Sequence, residues 1–528
     1  MKLNIIVRRD KDIRYPEKNE AKRQREEDNQ RENHPSLPVN QQIDRNGICL
    51  GHWSFRPREF QSQENQSVHR STAASLGGFS LGVSLAWNSS AGDVLRNVLK
   101  ASATEIGLIG GIVNAGACLG VLLVPWILKF ISRTGTMFVS IPINMIGWAF
   151  ICFADQKVLF LIIGRTICGI VSGVFCVVTP LYIAEIADKQ IRSRLLTFFQ
   201  LFINFGIMYA FLVAYGLEER ETIWRYSLIC AAACAPIALV NFLPESPLYH
   251  AKRGNMNAAL RSLRWYRGEE YKYQEELDEF EKLVKMRRHG FKAIIKMLKK
   301  RKVLWAIIVC HGVIVAQQLS GINTMIFYAL VIFNNGGSGD MTGEELTLIV
   351  GAVQVFACLL CTLTVGRISR RVLLSISAAF TGLFLILLGW YFSVRDSDPE
   401  LWDDTYGWMP PTWISLFFAS FNLGLGPLSW SLLADTFPME IRLTGATSGA
   451  FLNWLLSLTA TLTFGKMAIT LGIPKTMWLF GGFSGIAAIF CAILVRDNSN
   501  KSMYDIHTNF GTSQRASDSG SSRIVGQT

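Results

Sequence analysis

The chain has 528 residues, half of them hydrophobic and only 17 % charged, with 33 Phe and 14 Trp. That balance excludes a soluble protein with an ordinary polar surface and indicates a polytopic membrane protein. The formal charge of +12 divides unevenly between basic and acidic loops, so topology accounts for it without a nucleic-acid partner.

Residues 1–70 form a charged, polar tail of disordered composition and lack the apolar core of a cleavable signal peptide. The first span must therefore target the chain. Apolar stretches of about 20 residues, the length needed to cross a hydrocarbon core, then recur twelve times. They lie at residues 71–88, 104–128, 136–154, 158–182, 195–216, 223–243, 302–333, 345–365, 372–392, 411–435, 445–467 and 474–495. An even number puts both ends of the chain on one side. The loop at 244–301 ("KMRRHG", "KMLKKRK") and turns with Lys129, Arg133, Arg367, Arg370 and Arg371 are basic, whereas "GLEERET" and "RDSDPELWDDTYG" are acidic. The basic side, with both termini, is expected to be cytoplasmic.

The spans fall into two sets of six, 71–243 and 302–495, separated by the loop and followed by a tail at 496–528. The sets echo each other. "ISRT" (131–134) follows the second span and "ISRR" (368–371) the eighth. Glu185 precedes Arg192 by seven residues after the fourth span, and Asp435 precedes Arg442 by seven after the tenth. Two echoes at equivalent places argue for duplicated six-helix halves, with a substrate site between them near the membrane midplane. The expected fold is thus an all-α membrane protein of twelve transmembrane helices. The 244–301 loop has apolar residues at three- and four-residue spacings and should add amphipathic cytoplasmic helices packed beneath the bundle; lipid or calmodulin binding by its basic end is the alternative.

Ten of the eleven cysteines, all but Cys49, fall in these spans as small buried residues rather than a disulfide framework. Cys358 and Cys361 form a CxxC, which on a membrane helix reads as one turn of packing before it reads as a metal or redox pair. No phosphate-binding loop, nucleophile elbow or HExxH is present, so neither an enzyme nor a cofactor is expected.

The chemistry must then sit in polar residues within the spans. "QQLSGIN" (317–323) places three amides in the seventh. Gln317 and Gln318 are neighbours on a helix while Asn323 points away, but the intervening Ser320-Gly321 lets the helix bend and bring all three to one cavity. Hydrogen bonding between helices returns only about 0.6 kcal/mol on average in membranes, a weak reason by itself for so many amides. Each amide both donates and accepts, as each hydroxyl of an uncharged sugar does.

"QQLSGIN", "GRTICGIVSGVFCVVTPLYIAEIADKQIR" (164–192), "PESPLY" (244–249), "GPLSW" (426–430) and "FLNW" (451–454) together resemble the sugar porter family of the major facilitator superfamily, over roughly residues 71–506. The tone is most similar to the insect trehalose and glucose facilitator branch. The resemblance implies sugar contacts from Gln200, Gln317, Gln318, Asn323, Trp430 and Asn453. Gln354 and Asn422 stand where mammalian glucose carriers have Asn and Glu, which leaves the sugar's identity open. The resemblance also implies ion pairs that gate the halves, at Arg133, Arg165, Glu185, Arg192, Arg367, Arg370, Arg371, Asp435 and Arg442. Proton-driven members carry a first-span carboxylate beside the Arg equivalent to Arg165, where this chain has Ser84; facilitated diffusion is therefore expected. His311 is the titratable residue that keeps a proton-coupled symporter as an alternative, and a non-transporting sugar sensor is another.

The family's Asp-Arg-x-Gly-Arg-Arg turn is eroded at 129–134 and at 366–371, its C-terminal motif is reduced to "RDNSNKS", and Ser193 replaces a Gly. A weakened inner latch and an inward-facing resting state are the corresponding expectation. Asn88-Ser89-Ser90 is a glycosylation sequon at the membrane edge. The expected location is the plasma membrane, with endolysosomal membranes as the alternative; the bilayer and a small sugar are the partners, and no segment demands a protein partner.

Overall fold

Small residues on α1 (Arg58–Asn97) decide how the first helices meet. A β-carbon added at Gly82 would stand 2.0 Å from the Ile203 carbonyl oxygen of α5 (Arg192–Gly216), and one at Gly206 would stand 2.1 Å from the Phe79 carbonyl of α1. Only glycine permits this approach, which is how small residues pack membrane helices in the absence of a hydrophobic driving force. The pair α2 (Ala103–Phe130) and α4 (Val158–Ile186) repeats the device: Gly120 faces the Ile170 carbonyl at 2.0 Å and Gly173 the Ala117 carbonyl at 2.2 Å. Between them run α3 (Arg133–Cys152), capped by Ser132 accepting from the Gly135 amide, and α6 (Ile223–Ala232), continued by a 3-10 segment, Ala235–Phe242.

This computed structural model describes residues 58–97, 103–154, 157–188, 191–217, 223–268, 273–287, 298–326, 342–395, 402, 405–438 and 441–495, all within one unit, Pro57–Thr528. The expectations for residues 1–57 and 496–528 lie outside it, including Cys49 and the C-terminal motif. α1 begins at Arg58, ahead of the boundary at residue 71 expected from hydropathy. The linker holds α7 (Pro247–Lys252), α8 (Met256–Arg267) and α9 (Gln274–Arg287). The second half comprises α10 (Arg301–Leu319), α11 (Gly343–Thr364), α12 (Arg370–Arg395), α13 (Met409–Asn422), α14 (Leu425–Asp435), α15 (Arg442–Thr470) and α16 (Ile473–Leu494). Nine described helices are long and apolar enough to cross a membrane, α13 and α14 counting as one. The first, sixth and eleventh expected spans are α1, α6 with its 3-10 segment, and α15; the first and eleventh are rich in Ser, Thr, Asn and Gly, which lowers their hydropathy without changing their place.

The linker is tied to the first half by polar contacts. Ser246 caps α7 by accepting from the Tyr249 amide and donates to Glu185 Oε2 at 2.5 Å, while Glu245 accepts from the Thr134 amide and hydroxyl. Arg70 of α1 donates to the Trp265 and Tyr266 carbonyls and lies 3.8 Å over the Trp265 ring. Tyr266 and Tyr182 both donate to the Pro244 carbonyl, and burial holds the Tyr266 phenol well above its ordinary pKa range. Across the halves, α5 packs against α11 and α2 against α15.

Candidate functional site

The seventh span breaks at Gly321. Ser320 ends α10, Gly321 takes φ +77°, and helix resumes to Ile326. At that conformation a β-carbon is strained, so the glycine at this position is what the local sequence contributes. The break turns Asn323 back: its Nδ2 donates to Gln318 Oε1 at 2.9 Å and to Ser457 Oγ of α15 at 2.7 Å. Gln318 Nε2 in turn donates to Asn453 Oδ1 at 2.5 Å.

These side chains line one cavity between the halves. Gln200, Gln317, Gln318, Asn323, Gln354, Trp430 and Asn453 all reach it. Apolar walls come from residues such as Leu81, Ile203 and Ile326, and no ionisable side chain is among the described lining residues. Two buried polar atoms on this wall have no partner, the acceptor Gln317 Oε1 and the donor Gln354 Nε2. Such atoms are costly in a dry setting, and a side-chain shift that opened them would let a ligand that both donates and accepts satisfy them. Trp430 offers its indole face, held edge-on by Phe199 of α5.

Asn422 differs from the expectation. It does not line the cavity but lies behind it, accepting from Asn204 Nδ2 at 2.8 Å. Asn204, unpredicted, is the hub: it also donates to the Gln354 carbonyl at 3.2 Å and accepts from Gln200 Nε2 at 3.1 Å, joining α5 to α11 and α13. Its spacing of four from Gln200 put the pair on one helix face and was the readable signal. Trp454, adjacent to Asn453, also lines the cavity and donates its indole N–H toward Cys176 Sγ of α4 at 3.1 Å.

At the linker end the halves are joined. Asp435 of α14 contacts Arg192 of α5 at 3.7 Å and Arg370 of α12 at 3.1 Å, and Arg442 adds a third nearby charge. Ser193 accepts a hydrogen bond from Arg370. The serine expected to erode the latch thus supplies an acceptor across the seam, and in this structure the two halves are joined at this end. Arg133 pairs with Glu185 at 2.7 Å, but both belong to the first half, so the pair braces α3 on α4. Arg367 and Arg371 are exposed and make no ion pair among the described residues. Arg165 is also corrected: fully buried in the second turn-and-a-half of α4, at the end away from the linker, it donates to the Ser84 carbonyl at 2.6 Å and pairs with no carboxylate among the described residues.

His311 bridges α10 and α15 outside the cavity, with Nδ1 on the Ile307 carbonyl and Nε2 on Ser448 Oγ, each at 3.0 Å; one neutral tautomer satisfies both. Cys358 and Cys361 are buried free thiols, and no metal-ligating cluster occurs among the described residues. Asn88 is buried within α1 against Gly110 of α2, which rules out the sequon as a glycan acceptor in the folded protein. Accordingly, Asn88→Gln should leave electrophoretic mobility unchanged before and after glycosidase treatment; a downward shift would contradict the buried placement.

Comparison with known proteins agrees with this architecture. The profile of the Sugar (and other) transporter family matches residues 55–510. The facilitated trehalose transporter Tret1 of Apis mellifera ligustica is 31 % identical over 409 residues, covering 76 % of this chain and 77 % of its own. That of Bombyx mori is 30 % identical over 447 residues, covering 84 % and 86 %. Among solved structures, the proton:xylose symporter XylE bound to 6-bromo-6-deoxy-D-glucose superposes with a TM-score of 0.73 at 22 % identity, over 84 % of this chain and 99 % of that one. With twelve spans in two halves, a central amide-lined cavity and a family match over most of its length, this chain belongs to the Sugar (and other) transporter family, as a multi-pass membrane protein of the major facilitator fold.

Proposed function

We propose that the protein carries an uncharged sugar, trehalose or a hexose such as glucose, down its gradient by exposing the central cavity alternately to the two sides of the membrane. The observation that carries this reading is the ring of side-chain amides lining one cavity with no charge on its described wall, two of which, on Gln317 and Gln354, keep an unpartnered atom. A hydroxyl satisfies both kinds of atom, while a charged solute would lack a counter-charge there. Facilitated rather than proton-driven transport is supported by Ser84 in place of a carboxylate beside Arg165 and by His311 lying off the cavity with both nitrogens engaged. A carrier must release its cargo, so weak binding in the millimolar range, about 4 kcal/mol, is the expectation. The basic linker supports a plasma-membrane orientation with linker and termini in the cytoplasm.

The test is entry of labelled trehalose and glucose into liposomes holding the purified protein, with no pH gradient. Saturable entry that stops at equal concentrations, with no entry of glucose 6-phosphate, is expected. Binding without entry would replace this reading with a sensor, and accumulation that follows an imposed pH gradient would replace it with a symporter.

A further inference from the structure

The charge in α4 is not accounted for by its surroundings. Arg165 has no solvent exposure, and its Nη1 is engaged by the Ser84 carbonyl at 2.6 Å and the Ser84 hydroxyl at 3.5 Å. Its Nε and Nη2 have no acceptor. The Trp87 ring lies 5.0 Å from the guanidinium carbon, a favourable but partial offset. The ionisable side chains that chiefly reach it are Cys168 and Tyr226, and Trp87, Cys168 and Tyr226 belong to one apolar cluster. Asn88, whose Oδ1 is also an orphan acceptor, sits one turn beyond Ser84 on α1, with its amide against Gly110. A buried cation without a counter-charge is strongly unfavourable, because an arginine sheds its proton too reluctantly to escape by neutralising.

We propose that Arg165 binds a small monovalent anion of chloride size through its free Nε–H and Nη2–H edge, wedged between α1 and α4. The ligand class follows from the site. Nε–H and Nη2–H point side by side and fit one small acceptor. One negative charge balances one guanidinium, whereas a dianion would leave a new buried charge of opposite sign. Trp87, Cys168 and Tyr226 belong to the apolar cluster around the guanidinium, whose Nε and Nη2 have no surface open to water in this structure, so the anion must be small and enters only with a shift of these side chains. The anion would brace α1, which lines the central cavity through Leu81 and Leu85, against α4.

The experiment is thermal unfolding of the purified full-length protein at constant ionic strength and sodium, replacing methanesulfonate by chloride or bromide. For the wild type, chloride should raise Tm saturably, on the order of 4 °C. Ser84→Asp supplies a carboxylate beside Arg165 and should unfold at the higher temperature in either salt, with the chloride dependence gone; Arg165→Gln should lose the dependence as well. Superimposable wild-type curves in chloride and methanesulfonate would overturn the proposal, as would a chloride effect of full size in Ser84→Asp. Because the readout is unfolding rather than sugar entry, either result stands apart from the transport assay.

Discussion

Asp435→Asn opens the linker end of the protein. The single carboxylate of Asp435 lies among three guanidinium groups, and two of its partners, Arg370 and Arg442, share its half while Arg192 belongs to the other. Removing one member of a buried ion pair typically costs about 3–5 kcal/mol, since the remaining charges stay desolvated; with 20 % of the Asp435 side chain exposed, the lower end applies. Arg192 and Arg370, which shared that carboxylate from opposite halves, then repel across the seam. A bias of about 3 kcal/mol changes a two-state population ratio by roughly a hundredfold, enough to reverse a closed preference. Spin labels at Arg253 of the linker and Arg371 of α12, both exposed, should report a longer distance in the variant than in the parent. An unchanged distance distribution would show that the closed end is held by packing, with the ion cluster incidental. Ser193→Gly should move the distance the same way by less, because it removes one acceptor and no charge.

Gln317→Leu has the largest expected effect on sugar itself. Leucine matches the volume but deletes the free acceptor Oε1 and leaves a substrate hydroxyl facing an apolar wall. Orphaning a buried polar group costs about 1–3 kcal/mol, equivalent to roughly 5- to 150-fold in affinity. Saturable entry into liposomes should fall by that factor, while the unfolding temperature holds, since the side chain's one hydrogen bond among the described residues is a long 3.4 Å bond to the Gly426 carbonyl. Full activity in this variant would remove Gln317 from the site. Asn204→Leu should behave differently: it breaks bonds to Gln200, Gln354 and Asn422 together, so both entry and stability should drop.

The twelve spans and the amide set were legible because they rest on local rules: apolar length for the first, and a dense run of amides broken by glycine for the second. What was hidden depends on which surfaces meet. Asn204 looked like one more polar residue of α5 until α11 and α13 were placed against it. Ser193 departs from a family pattern, and a pattern alone cannot reveal that a hydroxyl would accept from Arg370. Arg165 and Asn88 were assigned by motif and sequon, yet depth and burial determine what such residues can do.

Among the described residues, the backbone approaches at glycine closer than 3.0 Å bind partners within one half, among them α1 to α5 and α2 to α4 in the first and α12 to α16, through Gly382 and the Gly481 carbonyl at 2.8 Å, in the second. Between halves the approaches are longer, Gly111 to a Leu462 methyl at 3.0 Å and Gly351 to the Met208 Cα at 3.2 Å. Main chain interlocked at such distances cannot slide, but side chains can let go and regrip. Damage to a glycine seam should therefore surface as poor yield of folded protein, whereas damage to the contacts of Asp435 or Trp454 should surface in turnover speed. The molecule separates the part that must never loosen from the part that must loosen on every cycle.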